Sequence, residues 1–212
     1  MHHRTTSSDC RAALLKSGRS RVTRGVAALL ILCALPLRAQ DDDKTLRVFI
    51  FAGQSNMVGS DSRVKDIALF PPFIGLEKPQ PNVKYSYCLG REDKRRSDGW
   101  TELGPVDDVV GPELSFARKV SQKVKAPLAV IKIAAGGTHL GGDWNPDEPI
   151  GFKLYPLALD HVRTALADLD KRKIRYRLEG FMWHQGENDM FEPKYKDAYG
   201  KNLKNFLARW RK

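Results

Sequence analysis

Three apolar runs stand out along a chain that is otherwise rich in charged and polar residues. They are "TLRVFIFAG" (45–53), "APLAVIKIAAGG" (126–137) and "YRLEGFMWHQG" (176–186). Nearly continuous apolar runs are typical of strands that are buried on both faces of a parallel sheet. We therefore predict that these three segments are the central strands of the fold.

Helical periodicity follows or separates these runs, in residues 111–124, 154–172 and 193–212. The first of these segments carries Pro112 at a first-turn position, where proline favours the start of a helix. The apolar positions that share one face of each segment are Leu114, Ala117, Val120 and Val124; Leu159, Val162, Leu166 and Leu169; and Tyr195, Leu203, Phe206, Leu207 and Trp210. Strands that alternate with helices predict an α/β fold with a parallel sheet flanked by helices.

Residues 61–105 do not follow either period, because prolines and charges such as "REDKRRSDGW" interrupt them. We predict an excursion with little regular structure, and such long excursions often border a binding cleft.

The first 40 residues differ in composition from the rest of the chain. An arginine-rich start is followed by the apolar run "GVAALLILCALPL", and Ala39 is a small residue before a cleavage point. This order is typical of a secretory signal peptide, and an uncleaved signal anchor is the alternative. We predict a signal peptide in 1–40 and one domain in 41–212. The mature protein would then be secreted or periplasmic, without stable membrane association.

Removal of the leader also changes the charge and the cysteine count. The net charge falls from +11 to +5, an ordinary excess that predicts no nucleic-acid partner. The basic run "KRKIRYR" (171–177) fits the solvated start of a strand better than a nucleic-acid surface. Cys88 becomes the single cysteine, so no intramolecular disulfide is expected and the thiol is predicted to be packed.

All three apolar runs end in polar turns that contain glycine: "GQSN", "GGTH" and "HQGEND". The carboxyl ends of parallel strands lie at one edge of a sheet, where ligands bind. Ser55 follows Gly53 and could open a helix whose backbone N–H groups stabilise an oxyanion. The pattern is not the G-x-S-x-G elbow, because Met57 replaces its second glycine. Ser55 is thus a candidate nucleophile, or simply a polar residue at a strand end.

The other two turns offer further groups for the same chemistry. Gly136 and Gly137 can aim N–H groups into a cleft, although a tight turn alone would explain both. In the third turn, Gln185 or Asn188 could donate to an oxyanion and Glu187 could orient an imidazole. A polar turn with all its hydrogen bonds satisfied is the alternative there.

Four blocks, "FAGQSNMVG", "GPELSFA", "AAGGTHLGGDW" and "MWHQGENDM", resemble those of the sialate O-acetylesterase-like domain. That domain is related to carbohydrate esterase family 6, within the SGNH (GDSL-like) hydrolases. The resemblance covers about residues 45–210 and implies a three-layer α/β/α sandwich of flavodoxin-like type. It also implies a secreted enzyme that removes acetyl groups from sugars, such as acetylated xylan or O-acetylated sialic acids, through an acyl-serine and without a metal or cofactor.

The same resemblance implies residue roles. Ser55 matches the nucleophile, and its N–H would form the oxyanion hole together with Gly137. Asn188 and Gln185 are rival side-chain donors, and Glu187 is an acid that supports the catalytic histidine in some relatives. The residues expected to contact the acetylated sugar are Gln54, Asn56, Thr138, His184 and Trp144.

The base that the family takes from a downstream D-x-x-H motif is missing, since no histidine follows His184. Three explanations stay open. The chain is an incomplete piece of the domain, or a non-catalytic module that binds sugar, or His139 or His184 has taken over as base. His161 lies in the middle of a predicted helix and is expected to be a surface or packing residue.

Overall fold

The computed structural model describes residues 44–92 and 94–212. The predicted signal peptide in 1–40 lies outside the described residues. Six strands form one sheet: β1 (Leu46–Gly53), β2 (Gln80–Leu89), β3 (Arg95–Arg96), β4 (Thr101–Leu103), β5 (Leu128–Ala134) and β6 (Tyr176–His184). The sheet order is β3-β2-β5-β1-β6, with β4 also paired to β2. Strands β2, β5, β1 and β6 are parallel, whereas β3 and β4 run antiparallel to β2.

Helices cover both faces of this sheet. They are α1 (Ser55–Val58), α2 (Pro112–Ser121), α3 (Leu154–Lys171) and α4 (Pro193–Trp210), with 3₁₀ turns at Val64–Leu69, Pro71–Phe73 and Asn188–Phe191. One apolar cluster joins α3 and α4 to the sheet, and a second joins α1 and α2 to its other face. The predicted three-layer α/β/α sandwich is therefore confirmed. Within the described part of the chain, no helix combines the length and apolar character needed to cross a membrane.

The prediction of an irregular excursion over 61–105 is wrong for residues 80–89, which form β2. Val83, Tyr85 and Leu89 are buried on this strand, which pairs in parallel with β5 from Val83 to Leu89. The pattern was hidden because Pro81 and Lys84 interrupt the apolar positions. Helix α2 also ends at Ser121, before Val124, which is 37% exposed.

Two residues outside the site behave as packing residues. His161 is buried on α3, with its Nε2 3.2 Å from the Ser86 hydroxyl, and burial lowers the pKa of its imidazole. Cys88 is a buried free thiol whose pKa is raised by burial. A buried thiol with a raised pKa is a poor nucleophile, which agrees with the interpretation from the sequence.

Candidate active site

Strand register brings the three polar turns together. Gly53, the last residue of β1, is aligned with Ala134 at the end of β5 and with His184 at the end of β6. The turns that begin at 53, 136 and 184 consequently lie side by side at the carboxyl edge of the sheet. This is the edge where parallel α/β sheets bind ligands.

The chain turns from β1 directly into α1, and the turn needs a glycine. A Cβ at Gly53 would lie 2.1 Å from the carbonyl oxygen of His184. That oxygen instead accepts a hydrogen bond from the N–H of Gln54 at 3.0 Å. Ser55 then becomes the first residue of α1, where N–H groups lack partners inside the helix. The Ser55 side chain is half-buried, and a Cβ placed on Gly136 would lie 3.4 Å from the Cβ of Ser55.

A buried ion pair supports the far end of α1. The Lys132 ammonium donates to the Glu113 carboxylate at 2.6 Å and to the carbonyl of Val58 at 3.1 Å. The Tyr85 hydroxyl donates to the same carboxylate at 3.3 Å. Burial lowers the pKa of Lys132 although Glu113 opposes this, and burial together with Glu113 raises the pKa of Tyr85. Val58 is the last residue of the helix that Ser55 opens, so the ion pair holds the C-terminal end of α1.

The third turn folds back onto the second. With its carboxamide oxygen toward the backbone, Asn188 accepts from the N–H of Thr138 at 2.7 Å and from that of Gly137 at 3.2 Å. The buried Asp189 carboxylate accepts from the N–H groups of Leu140 at 2.9 Å and Gly141 at 3.1 Å. Ser55, Gly137 and Asn188 are thus brought to one place, although the Gly137 N–H already has an acceptor in Asn188.

Gln185, the rival oxyanion donor, is directed away from the cleft. It is buried, and its amide nitrogen donates to the carbonyl of Thr138 at 2.9 Å and to the carboxylate of Asp189. The Gln185 amide nitrogen therefore donates to two acceptors inside the protein. This geometry does not support the prediction that it donates to an oxyanion. Of the two predicted side-chain donors, Asn188 is the one at the surface of the site.

Three residues predicted to contact substrate are instead structural. Gln54 is 2% exposed, and its side-chain oxygen accepts from the N–H of Gly186 at 3.2 Å, which ties β1 to the third turn. Trp144 and Thr138 are both 0% exposed, and the indole N–H donates to the Thr138 hydroxyl at 3.1 Å. The structure gives no support to the substrate contacts predicted for these three residues, because their side chains are buried and bonded within the protein.

Asn56 and His184 are exposed and do face the site. The Asn56 carboxamide donates to the Glu187 carboxylate, which joins the turn after β1 to the third turn. Asn56 and His184 also line a common cavity of about 640 Å³. Glu187 lies at the carboxyl edge of the sheet, where the sequence predicts it, and its hydrogen-bond partner there is the Asn56 carboxamide.

The sequence matches a known family over residues 45–212, described as "Carbohydrate esterase, sialic acid-specific acetylesterase". The chain belongs to this carbohydrate esterase family. The resemblance found in the four sequence blocks is thereby confirmed.

Two comparisons show which known proteins this chain is similar to. A "Probable carbohydrate esterase" of Arabidopsis thaliana is 26% identical over 181 residues, which cover 78% of this chain and 63% of that protein. This chain therefore spans less than two thirds of that relative's length. The X-ray structure of an Arabidopsis thaliana protein matches with a TM-score of 0.55 at 22% identity, covering 78% of this chain and 67% of that one. That likeness supports the fold.

Two histidines lie near the carboxyl edge of the sheet, close to the candidate site. The Nδ1 of His139 is 3.6 Å from the Asp143 carboxylate, and the imidazole ring lies 5.1 Å from the Tyr195 ring. His184 is exposed at the end of β6. Within residues 44–92 and 94–212, neither imidazole is hydrogen-bonded to the Ser55 hydroxyl, and no cluster of His, Cys, Asp and Glu could hold a metal ion.

Arg91 lies at the same edge of the sheet, and the sequence did not predict it there. It follows β2, and its guanidinium nitrogen is 3.2 Å from where a Cβ of Gly137 would stand. The guanidinium carbon lies 5.3 Å from the centre of the Phe152 ring. The sequence did not predict β2 as a strand. It therefore could not indicate that Arg91, just after the end of β2, lies at the same edge of the sheet.

Proposed function

We propose that this protein is a secreted carbohydrate O-acetylesterase that works through an acyl-Ser55 intermediate, with acetylated xylan or O-acetylated sialic acid as the type of substrate. One observation carries the proposal. Ser55 opens a helix at the carboxyl edge of the sheet, directly beside Gly136, with Asn188 on the adjoining turn. Family membership supplies the ester chemistry.

In the proposed reaction, the Ser55 oxygen bonds to the acetyl carbonyl carbon and its proton passes to a base. The bond between that carbon and the sugar oxygen then breaks, and the sugar oxygen takes the proton. Water attacks the acetyl-serine in the same way, which releases acetate and restores the hydroxyl. The Ser55 N–H and Asn188 would stabilise the oxyanion, since preorganised donors are the largest single contribution in such sites.

The base is assigned by comparing two variants. His139 has a carboxylate neighbour, as a catalytic imidazole needs, whereas His184 stands at the end of β6, aligned with Gly53. Loss of turnover in His139→Ala alone, or in His184→Ala alone, would identify the base. Full turnover in both variants would exclude both histidines.

The proposal is tested by the turnover of p-nitrophenyl acetate and by the labelling of Ser55 with an organophosphonate, located by peptide mass spectrometry. We expect one label per chain, and a fall in turnover of at least about a thousandfold in Ser55→Ala. Ser60→Ala is the matched control, because Ser60 lies just beyond α1. A protein that neither labels nor turns over ester would contradict the proposal.

A non-catalytic carbohydrate-binding function is the second candidate. It is favoured by the absence, among the described residues, of any imidazole bonded to the Ser55 hydroxyl. This function predicts that acetylated oligosaccharide binds wild type and Ser55→Ala equally and that neither protein releases acetate. Acetate release by the wild type would eliminate it.

A further inference from the structure

A cavity of about 640 Å³ opens beside the nucleophile turn. Asn56 and His184 line it, together with residues of the 3₁₀ segments Val64–Leu69 and Pro71–Phe73, which we call the far wall. Its volume lies within the roughly 300–1,000 Å³ that is usual for small-ligand pockets. The residue that follows Ser55 in α1 thus lines a cavity of ligand size.

Large apolar side chains are exposed on the far wall. Leu69 is 71% exposed, Phe70 is 54% exposed and Phe73 is 44% exposed, and all three line the cavity. Clusters of exposed apolar side chains usually mark binding sites. Two exposed aromatic rings in one cavity also offer flat faces for an apolar ligand surface.

The far wall is anchored in the fold. Ile67 and Leu76, on either side of the exposed residues, are 7% and 1% exposed and belong to the apolar cluster under α2. From α2, the Arg118 guanidinium donates to the carbonyl of Ile74 at 2.8 Å and to that of Pro72. A wall fixed at both ends loses little further conformational entropy when a ligand binds.

The polar lining adds two carboxylates and one guanidinium. Asp61, Asp66 and Arg63 line the cavity, and none of them forms an ion pair with another described residue. Carboxylates accept hydrogen bonds from hydroxyl groups, but they repel an anionic ligand. With two negative charges against one positive charge, the lining favours a neutral ligand that carries hydroxyl groups.

We propose that this cavity binds a neutral sugar ring of the glycan next to the acetylated residue. The ring would stack on Phe70 or Phe73, and its hydroxyls would donate to Asp61 or Asp66. The inference rests on the proposed function, because Asn56 and His184, which line the cavity, also face the candidate site. It narrows the substrate class to a neutral glycan.

The first test compares two substrates, partially acetylated xylotetraose and p-nitrophenyl acetate. In Phe73→Ala and Phe70→Ala, we expect the KM for the oligosaccharide to rise about tenfold relative to the KM for p-nitrophenyl acetate, equivalent to about 1.4 kcal/mol. Phe191→Ala is the matched control, since Phe191 is 79% exposed but does not line the cavity. Equal changes for both substrates, or none, would overturn the proposal.

The second test does not depend on turnover. Binding of unacetylated xylotetraose to Ser55→Ala is measured by calorimetry, with and without the additional Phe73→Ala change. We expect binding that weakens about tenfold in the double variant. Binding without acetate release by the wild type would defeat the proposed function and leave this site standing. No binding of xylotetraose, or tighter binding of N-acetylneuraminic acid, would overturn the neutral-sugar site.

Discussion

Two carboxylates that support the candidate site, Glu113 and Asp189, are buried to nearly the same extent, at 2% and 1% exposure. They are stabilised in different ways. Glu113 accepts from the Lys132 ammonium at 2.6 Å, and Lys132 also donates to the carbonyl of Val58 in α1. Asp189 forms no ion pair with any residue of 44–92 or 94–212 and accepts from the N–H groups of Leu140, Gly141 and the Gln185 amide.

This difference predicts how the stability of each carboxylate site changes when one of its partners is removed. A buried ion pair depends on a single partner, and loss of that partner leaves an uncompensated charge in the interior. A carboxylate held by several neutral donors shares its stabilisation among them, and each donor also fixes a piece of backbone. Glu113 and Lys132 therefore hold the helix that starts at Ser55, whereas Asp189 holds the turn that follows Gly137.

The largest effect is expected for Lys132→Met. The Glu113 carboxylate would remain buried without its cation, and the carbonyl of Val58 would lose its donor. We expect the free energy of unfolding, measured by urea denaturation, to fall by about 3–5 kcal/mol.

The double variant Lys132→Met/Glu113→Gln is the control for this prediction, because it removes both charges and keeps the side-chain volumes similar. We expect it to regain more than half of the lost stability. A double variant as unstable as Lys132→Met would show that the loss comes from packing and not from an unpaired charge.

A smaller effect is expected for Asp189→Ala. Three donors would lose their acceptor, but none of them carries a charge, and we expect unfolding to become easier by about 2–3 kcal/mol. Because Leu140 and Gly141 follow the second turn, hydrogen exchange at their amides should quicken more than at Val58.

Asp189→Asn is the matched control, since it keeps one acceptor oxygen in place and loses the charge. We expect about half of the Asp189→Ala effect. If Asp189→Asn were as damaging as Lys132→Met, Asp189 would depend on its charge as strongly as Glu113 does, and the contrast between the two sites would be lost.

The sequence predicted the parts of this site that are set by local pattern. The runs around Val48, Val130 and Met182 are strands because continuous apolar residues suit the interior of a parallel sheet. Their glycine-containing ends identified the edge and placed Ser55, Gly137 and Asn188 on it. These inferences need only the order of residues along the chain and the geometry of parallel strands.

Other features depend on contacts between distant parts of the chain. Lys132 lies inside a predicted strand, but nothing local shows that its partner would be Glu113. Trp144 follows a glycine-rich turn and is predicted from the sequence to contact the sugar, yet the centre of its ring lies 5.2 Å from that of Trp183. Burial of this kind follows from how α3 and α4 cover the sheet, which residue periodicity does not specify.

The smallest effect of the series is expected for Tyr85→Phe. The Tyr85 hydroxyl donates to Glu113 at 3.3 Å, a long distance for such a bond, while Lys132 remains as the principal partner. Burial and Glu113 both raise the pKa of Tyr85, so the hydroxyl stays neutral and its loss leaves no charge behind. We expect a loss of about 0.5–1.5 kcal/mol in urea unfolding. A loss as large as that of Lys132→Met would mean that Glu113, like Asp189, depends on several donors together.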